Sequence, residues 1–338
     1  MMYRCLALAK NGLGSTYPNP LVGSVIVHKE KIIGEGWHRK SGEPHAEILA
    51  IQQVKDKSLL KKSTLFVNLE PCSHFGKTPP CAHQIVAYGI PKVVIGTRDY
   101  AAHVNGEGIR YLRANGVEVI ENILQEESIE LNKRFFTFHT KSRPYIILKF
   151  AQTHNGFFAP LNHQQKWITN SYSQQLVHKW RTEEQAILIG KNTAEIDQPQ
   201  LNARHWHGSQ PLRILIAEKL SPKIDSFIKS GNNTLIFTGE DFSNKYNATF
   251  VKINFKTPVL PQIMSHLKKI NIQSMIVEGG ATTLDYFIQA NLWDEARILT
   301  GNVVWDNGIK SPILPHARLN FLEKIGKDTY HNYANHLQ

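Results

Sequence analysis

The sequence predicts an α/β protein, because segments with helical spacing alternate with short Val- and Ile-rich runs along the chain, the pattern of sheets layered with helices. Length is the second observation: 338 residues exceed a comfortable single core and favour two domains. The third is the polar, Pro-closed stretch Lys141-Ser142-Arg143-Pro144, after which the alternation begins again. The expected domains are therefore 1–143 and 144–338.

In the first half, residues 3–13 carry apolar positions suited to a helix, with Gly12 and Gly14 marking its end. A loop with Pro18-Asn19-Pro20 leads to a buried strand at 21–27, and Lys29-Glu30 turns the chain into a second strand at 31–37. A helix over 45–54 follows, then a strand at 64–69 and a helix over 81–88 that opens after Thr78-Pro79-Pro80 and ends at Gly89. Strands at 92–96 and 117–120, with helices over 106–114 and 125–138, complete a three-layer α/β sandwich. In the second half, strands are expected at 145–151, 186–189, 212–217, 234–237, 249–253 and 274–277, and helices over 171–182, 261–270 and 282–290. No repeat of 20 to 50 residues recurs.

Composition narrows the function. Hydrophobic residues make up 41% and charged residues 20%, ordinary for a soluble globular protein, and no apolar run would span a bilayer. The N-terminal apolar stretch is too short for a secretory signal and reads as an amphipathic helix. Three cysteines are too few for a disulfide framework, so a reducing cytoplasm is the expected compartment. The net charge of +11 could serve nucleic acid, but the basic residues are scattered, and a phosphate-bearing small substrate is equally suited to a positive surface.

The chemistry concentrates in Asn68-Leu69-Glu70-Pro71-Cys72 through Cys81, with Pro44-His45-Ala46-Glu47 upstream. His45, Cys72 and Cys81 make a three-ligand N/S set for zinc that leaves the fourth tetrahedral position open, as in catalytic sites. A Glu two residues after the His is the acid/base of zinc deaminases, a role that falls to Glu47. Cys5 reads as a packing residue. Eight residues separate Cys72 from Cys81, more than in the short Pro-Cys-x-x-Cys form.

This long loop resembles that of the bifunctional riboflavin-biosynthesis deaminase/reductase family, as do Pro18-Asn19-Pro20-Leu21-Val22-Gly23 and Gly42-Glu43-Pro44-His45-Ala46-Glu47. The second half is similar to the family's reductase domain at Lys149, Trp167-Ile168-Thr169, the run from Gly190 to Arg204, and Val277 to Thr282. The resemblance implies a cytidine-deaminase-like sandwich followed by a dihydrofolate-reductase-like α/β domain. It also implies one zinc per chain, NADPH, and a phosphorylated pyrimidine substrate that is deaminated and then reduced from ribosyl to ribityl. Substrate contacts are implied for Asn19, His38, His74, Lys77, Lys149, Leu201, Arg204 and Glu278. Cofactor contacts are implied for Gln152, Trp167, Thr193, Asp197, Gly279, Gly280, Ala281 and Thr282.

Physical reasons accompany several of these. The turn at Glu278-Gly279-Gly280 would present backbone amides to a phosphate at a helix start, and Arg204 has the planar fork that suits a phosphate. Lys149 and Asp197 are candidates for proton and charge handling, the alternative being that they and Glu278 form ion pairs that support the fold. The chain departs from the family pattern at Asp99-Tyr100-Ala101-Ala102, at Asn155 and Phe157, at Ala217-Glu218 and at Gly301 to Trp305. Two other classes fit parts of the pattern: a nucleic-acid deaminase, and a deaminase with a non-catalytic C-terminal domain. The small-molecule reading expects no nucleic-acid and no membrane partner, and leaves a homo-oligomer open.

Overall fold

The computed structural model describes residues 1–74, 79–100, 106–161, 167–229, 233–244 and 246–337. The chain divides into two compact units, Met1–Ser142 and Arg143–Gln338.

The first unit comprises α1 (Met2–Ala9), the hairpin β1 (Gly23–His28) and β2 (Lys31–Trp37), α2 (Ala46–Gln53), β3 (Thr64–Leu69), α3 (Cys81–Ala87), β4 (Lys92–Thr97), α4 (Glu107–Ala114), β5 (Glu118–Ile120), α5 (Gln125–Leu131) and α6 (Lys133–Thr140). Its sheet runs β2-β1-β3-β4-β5, with β1 antiparallel to both neighbours and β3, β4 and β5 parallel. Successive strand residues face opposite ways, and the burial follows that rule. Ile26, Val67 and Ile95 pack with Ile51, Ile85 and Leu112 from α2, α3 and α4. On the other face Val25 and Val94 pack with Met2, Cys5 and Leu8 of α1. The result is a three-layer sandwich.

The hairpin turn places both Lys29 and Glu30 at positive φ, 46° and 64°, the mirror-image turn that matches strand twist. The single helix predicted over 125–138 is two helices. Asn132 leaves helical geometry between them (φ −100°, ψ 18°) and turns its amide to Leu21, accepting from its N–H at 2.8 Å and donating to its carbonyl at 2.9 Å. Asn68 grips the same stretch, donating to the Leu21 carbonyl (2.9 Å) and accepting from Gly23 N–H (2.7 Å). These two buried amides hold the chain that follows Asn19.

The second unit comprises β6 (Tyr145–Gln152), β7 (Phe157–Ala159), α7 (Ser171–Glu183), β8 (Ala186–Gly190), α8 (Lys191–Asp197), β9 (Leu212–Ile216), α9 (Pro222–Lys229), β10 (Thr234–Thr238), β11 (Ala248–Lys252), α10 (Val259–Lys269), β12 (Ser274–Gly279), α11 (Ala281–Gln289), β13 (Glu295–Thr300), β14 (Ile309–Lys310), β15 (Ala317–Ile325) and β16 (Asp328–Asn335). Nine strands form one sheet, β11-β10-β9-β8-β12-β6-β13-β16-β15, parallel from β11 to β13 and antiparallel at β16 and β15. Helices α10 and α11 cover one face through Ile263, Leu267, Leu284 and Phe287. Helices α7, α8 and α9 cover the other through Val177, Trp180, Ala194 and Phe227.

Six of these strands stand where the sequence predicts them. The last two do not announce themselves, because β15 is an edge strand exposed along nearly its whole length and β16 buries Asp328 and Asn332 rather than an apolar stripe. The short helices α8 and α9 were likewise not expected.

Candidate active sites

His45 ends an extended segment (φ −72°, ψ 163°) and caps α2, so Glu47 falls in the helix's first turn rather than on the same turn as the His. Cys72 lies on the loop after β3, and Cys81 is the first residue of α3. Their donor atoms meet: His45 Nδ1 is 3.6 Å from Cys72 Sγ and 3.3 Å from Cys81 Sγ, and all three lie within 4.8 Å of one another. Zinc–ligand bonds of about 2.3 Å to sulfur and 2.0–2.1 Å to nitrogen at a tetrahedral angle require an N to S separation of about 3.6 Å. The set therefore fits zinc with little movement, and it is the one such cluster among the described residues.

Protonation follows the same geometry. Hydrogen bonding to Cys72 draws the His45 imidazole up to about 9 against its burial. Hydrogen bonding from Cys81, joined by His45, brings the Cys72 thiol down to about 4. The Cys81 N–H also points at Cys72 Sγ, at 3.3 Å. Cys81 itself is pushed up by Cys72 and by burial, and metal binding would release its proton. Glu47 is 3% exposed; burial raises its pKa, and its Oε2 is buried with no hydrogen-bond partner among the described residues. A buried carboxylate oxygen without a partner is costly, and beside an open metal position it is placed to take a proton from water.

Asn19 and His38 come together beside this cluster. His38 Nδ1 meets the Pro44 carbonyl at 3.3 Å, which makes it the protonated nitrogen, so Nε2 accepts from Asn19 Nδ2 at 3.0 Å. Burial lowers the His38 pKa and keeps the ring neutral, and its edge meets the His45 ring at 5.2 Å between centroids. His74 is exposed on the metal loop. Lys77 and Ala101 lie outside the described residues.

In the second unit two cavities adjoin, sharing Phe158 and Asp197. The first, about 740 Å³, is lined by Lys149, Leu201, Arg204, Glu278 and Trp167 among others. The second, about 760 Å³, is lined by Thr193, Gly280, Ala281 and Thr282. Trp167, expected with the cofactor, thus lies with the substrate residues. Neither Gln152 nor Gly279 lines either cavity; the Gln152 amide donates to Thr300 Oγ1 at 3.2 Å. Of the amides expected to face a phosphate, that of Gly280 donates to Thr193 Oγ1 at 2.7 Å, because α8 brings that hydroxyl against the start of α11.

A charged trio lines the first cavity. Glu278 Oε2 and Oε1 accept from Arg181 Nη2 (2.9 Å) and Nε (3.2 Å), and Lys149 Nζ stands 3.9 Å from Oε2. Burial alone would raise Glu278, but Arg181 and Lys149 outweigh it and leave its pKa at about 2. Burial lowers Lys149. Arg181 and His178, one turn apart on α7, are cavity residues that sequence reasoning missed, since a lone Arg on an amphipathic helix carries no signature. At the departure Asn155, the side-chain amide donates to the Trp305 carbonyl (2.7 Å) and Oδ1 accepts from Trp305 N–H (3.3 Å). Over Phe157 the Lys310 ammonium sits 3.9 Å from the ring centre.

Known proteins match both halves of the chain. Residues 1–97 match the cytidine and deoxycytidylate deaminase zinc-binding region, and residues 144–305 match the RibD C-terminal domain. The chain is 38% identical to the riboflavin biosynthesis protein RibD of Aquifex aeolicus, over 91% of this chain and 88% of that protein. It is 37% identical to the RibD of Bacillus amyloliquefaciens, over 97% and 93%. Among solved structures, a diaminohydroxyphosphoribosylaminopyrimidine deaminase/5-amino-6-(5-phosphoribosylamino)uracil reductase from Thermotoga maritima superposes with a TM-score of 0.90 at 33% identity, covering 99% of this chain and 97% of that one. RibD from Acinetobacter baumannii superposes at 0.86 with 29% identity, covering 98% and 97%.

Proposed function

The chain belongs to the RibD family of riboflavin biosynthesis proteins, and from that premise we propose a two-step reaction. The first unit hydrolytically deaminates a diamino(phosphoribosylamino)pyrimidinone to the aminouracil and releases ammonia. The second reduces the ribosyl group of that product to ribityl with NADPH, the phosphate staying on throughout. The observation that carries the reading is the meeting of His45, Cys72 and Cys81 beside a buried Glu47 oxygen that lacks a partner.

Zinc, when bound by these three residues, supplies the Lewis acidity that brings the pKa of water to about 7. Glu47 takes the proton of the attacking water and passes it to the departing amine. Asn19 and His38, fixed to one another, orient the pyrimidine, with His74 near the base and its phosphoribosyl chain.

In the second unit Arg204 receives the substrate phosphate in its planar fork, beside Leu201. Trp167 lines the same cavity, while Thr193, Asp197, Ala281 and Thr282 would hold NADPH, which when bound supplies the hydride. As the ribosyl ring opens at the anomeric carbon, the released ring oxygen takes a proton from Lys149, whose burial makes the proton easier to give up. Glu278 stays ionised and orients both Lys149 and Arg181.

The partners are these small molecules and not nucleic acid, and two unbridged metal-binding cysteines suit a reducing cytoplasm. No helix among the described residues is long and apolar enough to cross a membrane. Cys72→Ser and Cys81→Ser test the reading: each loses zinc and ammonia release together. Full zinc occupancy in both variants would remove these residues from the site.

A further inference from the structure

Glu70 is 4% exposed and stands two residues before Cys72, yet neither metal binding nor proton transfer uses it. Its carboxylate faces backbone amides. Oε2 accepts from Asp99 N–H at 3.2 Å and Gly106 N–H at 3.1 Å, and Oε1 accepts from Ile109 N–H at 3.2 Å. Burying a carboxylate is expensive unless hydrogen bonds satisfy it, and these donors supply that need.

The surroundings tie those amides to the metal loop. Leu69 and Thr97 are register partners at the C-terminal ends of β3 and β4, and Glu70 N–H donates to the Thr97 carbonyl at 3.0 Å. Asp99 therefore leaves the sheet at the same edge as Cys72. Helix α4 seats against the same segment, since a Cβ on Gly108 would lie 2.0 Å from the Pro71 carbonyl oxygen. Asn68, Glu70 and Cys72 follow one another at the two-residue spacing of an extended chain. Each grips a different part: Asn68 the backbone at Leu21 and Gly23, Glu70 the amides at Asp99, Gly106 and Ile109, and Cys72 the metal set.

We infer that Glu70 is a positioning residue of the deaminase unit: it fixes Asp99 and the start of α4 beside the metal loop and thereby sets substrate affinity. The inference rests on the deaminase reading. Glu70→Gln keeps the side-chain shape but turns an NH2 group toward N–H donors, so at least one amide loses its acceptor. Hydrogen exchange at Asp99, Gly106 and Ile109 should accelerate while α2 amides keep their protection. KM for the phosphorylated diaminopyrimidine should rise roughly 10-fold, the scale of one lost buried hydrogen bond, with kcat and zinc content unchanged. Glu70→Asp, which keeps both acceptor oxygens on a shorter arm, should give an intermediate KM.

Unchanged KM and exchange in Glu70→Gln would overturn the inference. So would a joint fall of zinc content and kcat in both variants, which would make Glu70 a support of the metal site alone. A zinc-loaded wild-type protein that leaves this substrate intact would refute the deaminase reading instead, and the exchange at the three amides would still decide whether Glu70 holds them.

Discussion

Glu47 is buried beside the ligand set with one oxygen lacking a partner, and its pKa is raised by that burial. An amide there keeps the shape and cannot shuttle a proton, so Glu47→Gln should keep zinc and lose deamination by about 10²- to 10⁴-fold; near-normal ammonia release would exclude Glu47 as acid/base. His178 gives a prediction in pH. Burial, with Arg181, Arg204 and His205 nearby, lowers its pKa to about 4 from the ordinary 6.5. The unfolded chain therefore takes up a proton between pH 6.5 and 4 that the folded one refuses. Stability contributed by the neutral ring is complete above pH 6.5 and declines as pH falls toward 4. The urea midpoint of wild type should fall over that window, and His178→Asn should flatten the slope. His45, Cys72 and Cys81 were legible in the sequence as a ligand set, because an imidazole and two thiolates are donors that zinc takes. Glu70 and Arg181 were not, because their partners are backbone amides or a strand-borne carboxylate far away in the chain.

Helix α2 delivers His45 and Glu47 to the site, and it does so by lying close on β2. A Cβ at Gly36 would stand 2.6 Å from Leu49 Cβ and 2.9 Å from the Ala46 carbonyl oxygen. Gly36→Ala should therefore push the start of α2 outward, costing about 1–3 kcal/mol in urea unfolding of the first unit and weakening zinc retention against a chelator; unchanged retention would mean the helix start is not positioned by this contact. At this scale the sequence was readable wherever an element buries an apolar face. It misled at 125–138, where Asn132 breaks the helix to satisfy Leu21. It was silent at β15 and β16, whose stabilisation comes from ladder hydrogen bonds and buried polar residues rather than an apolar stripe.

The molecule joins two chemistries in one chain, a hydrolytic metal site in Met1–Ser142 and paired cavities in Arg143–Gln338. Because the sites share no residue, Asp197→Ala should leave ammonia release intact while lowering NADPH oxidation on the aminouracil, and Glu47→Gln should do the reverse; loss of both activities in either variant would refute independent sites. The two-unit α/β architecture was visible in the alternation of elements and in the break near Pro144. The division of the second unit into adjoining cavities was not, since it depends on Asp197 at the end of α8 reaching both. One polypeptide with both sites performs the two steps in sequence, an assignment open to direct test. It is tested most directly by incubating the purified protein with the phosphorylated diaminopyrimidine, with and without NADPH, and weighing the products by mass spectrometry. One amino group should be replaced by oxygen in both samples, and two hydrogens should be added to that product only when NADPH is present. An unchanged substrate, or a deaminated product that NADPH leaves unreduced, would contradict it.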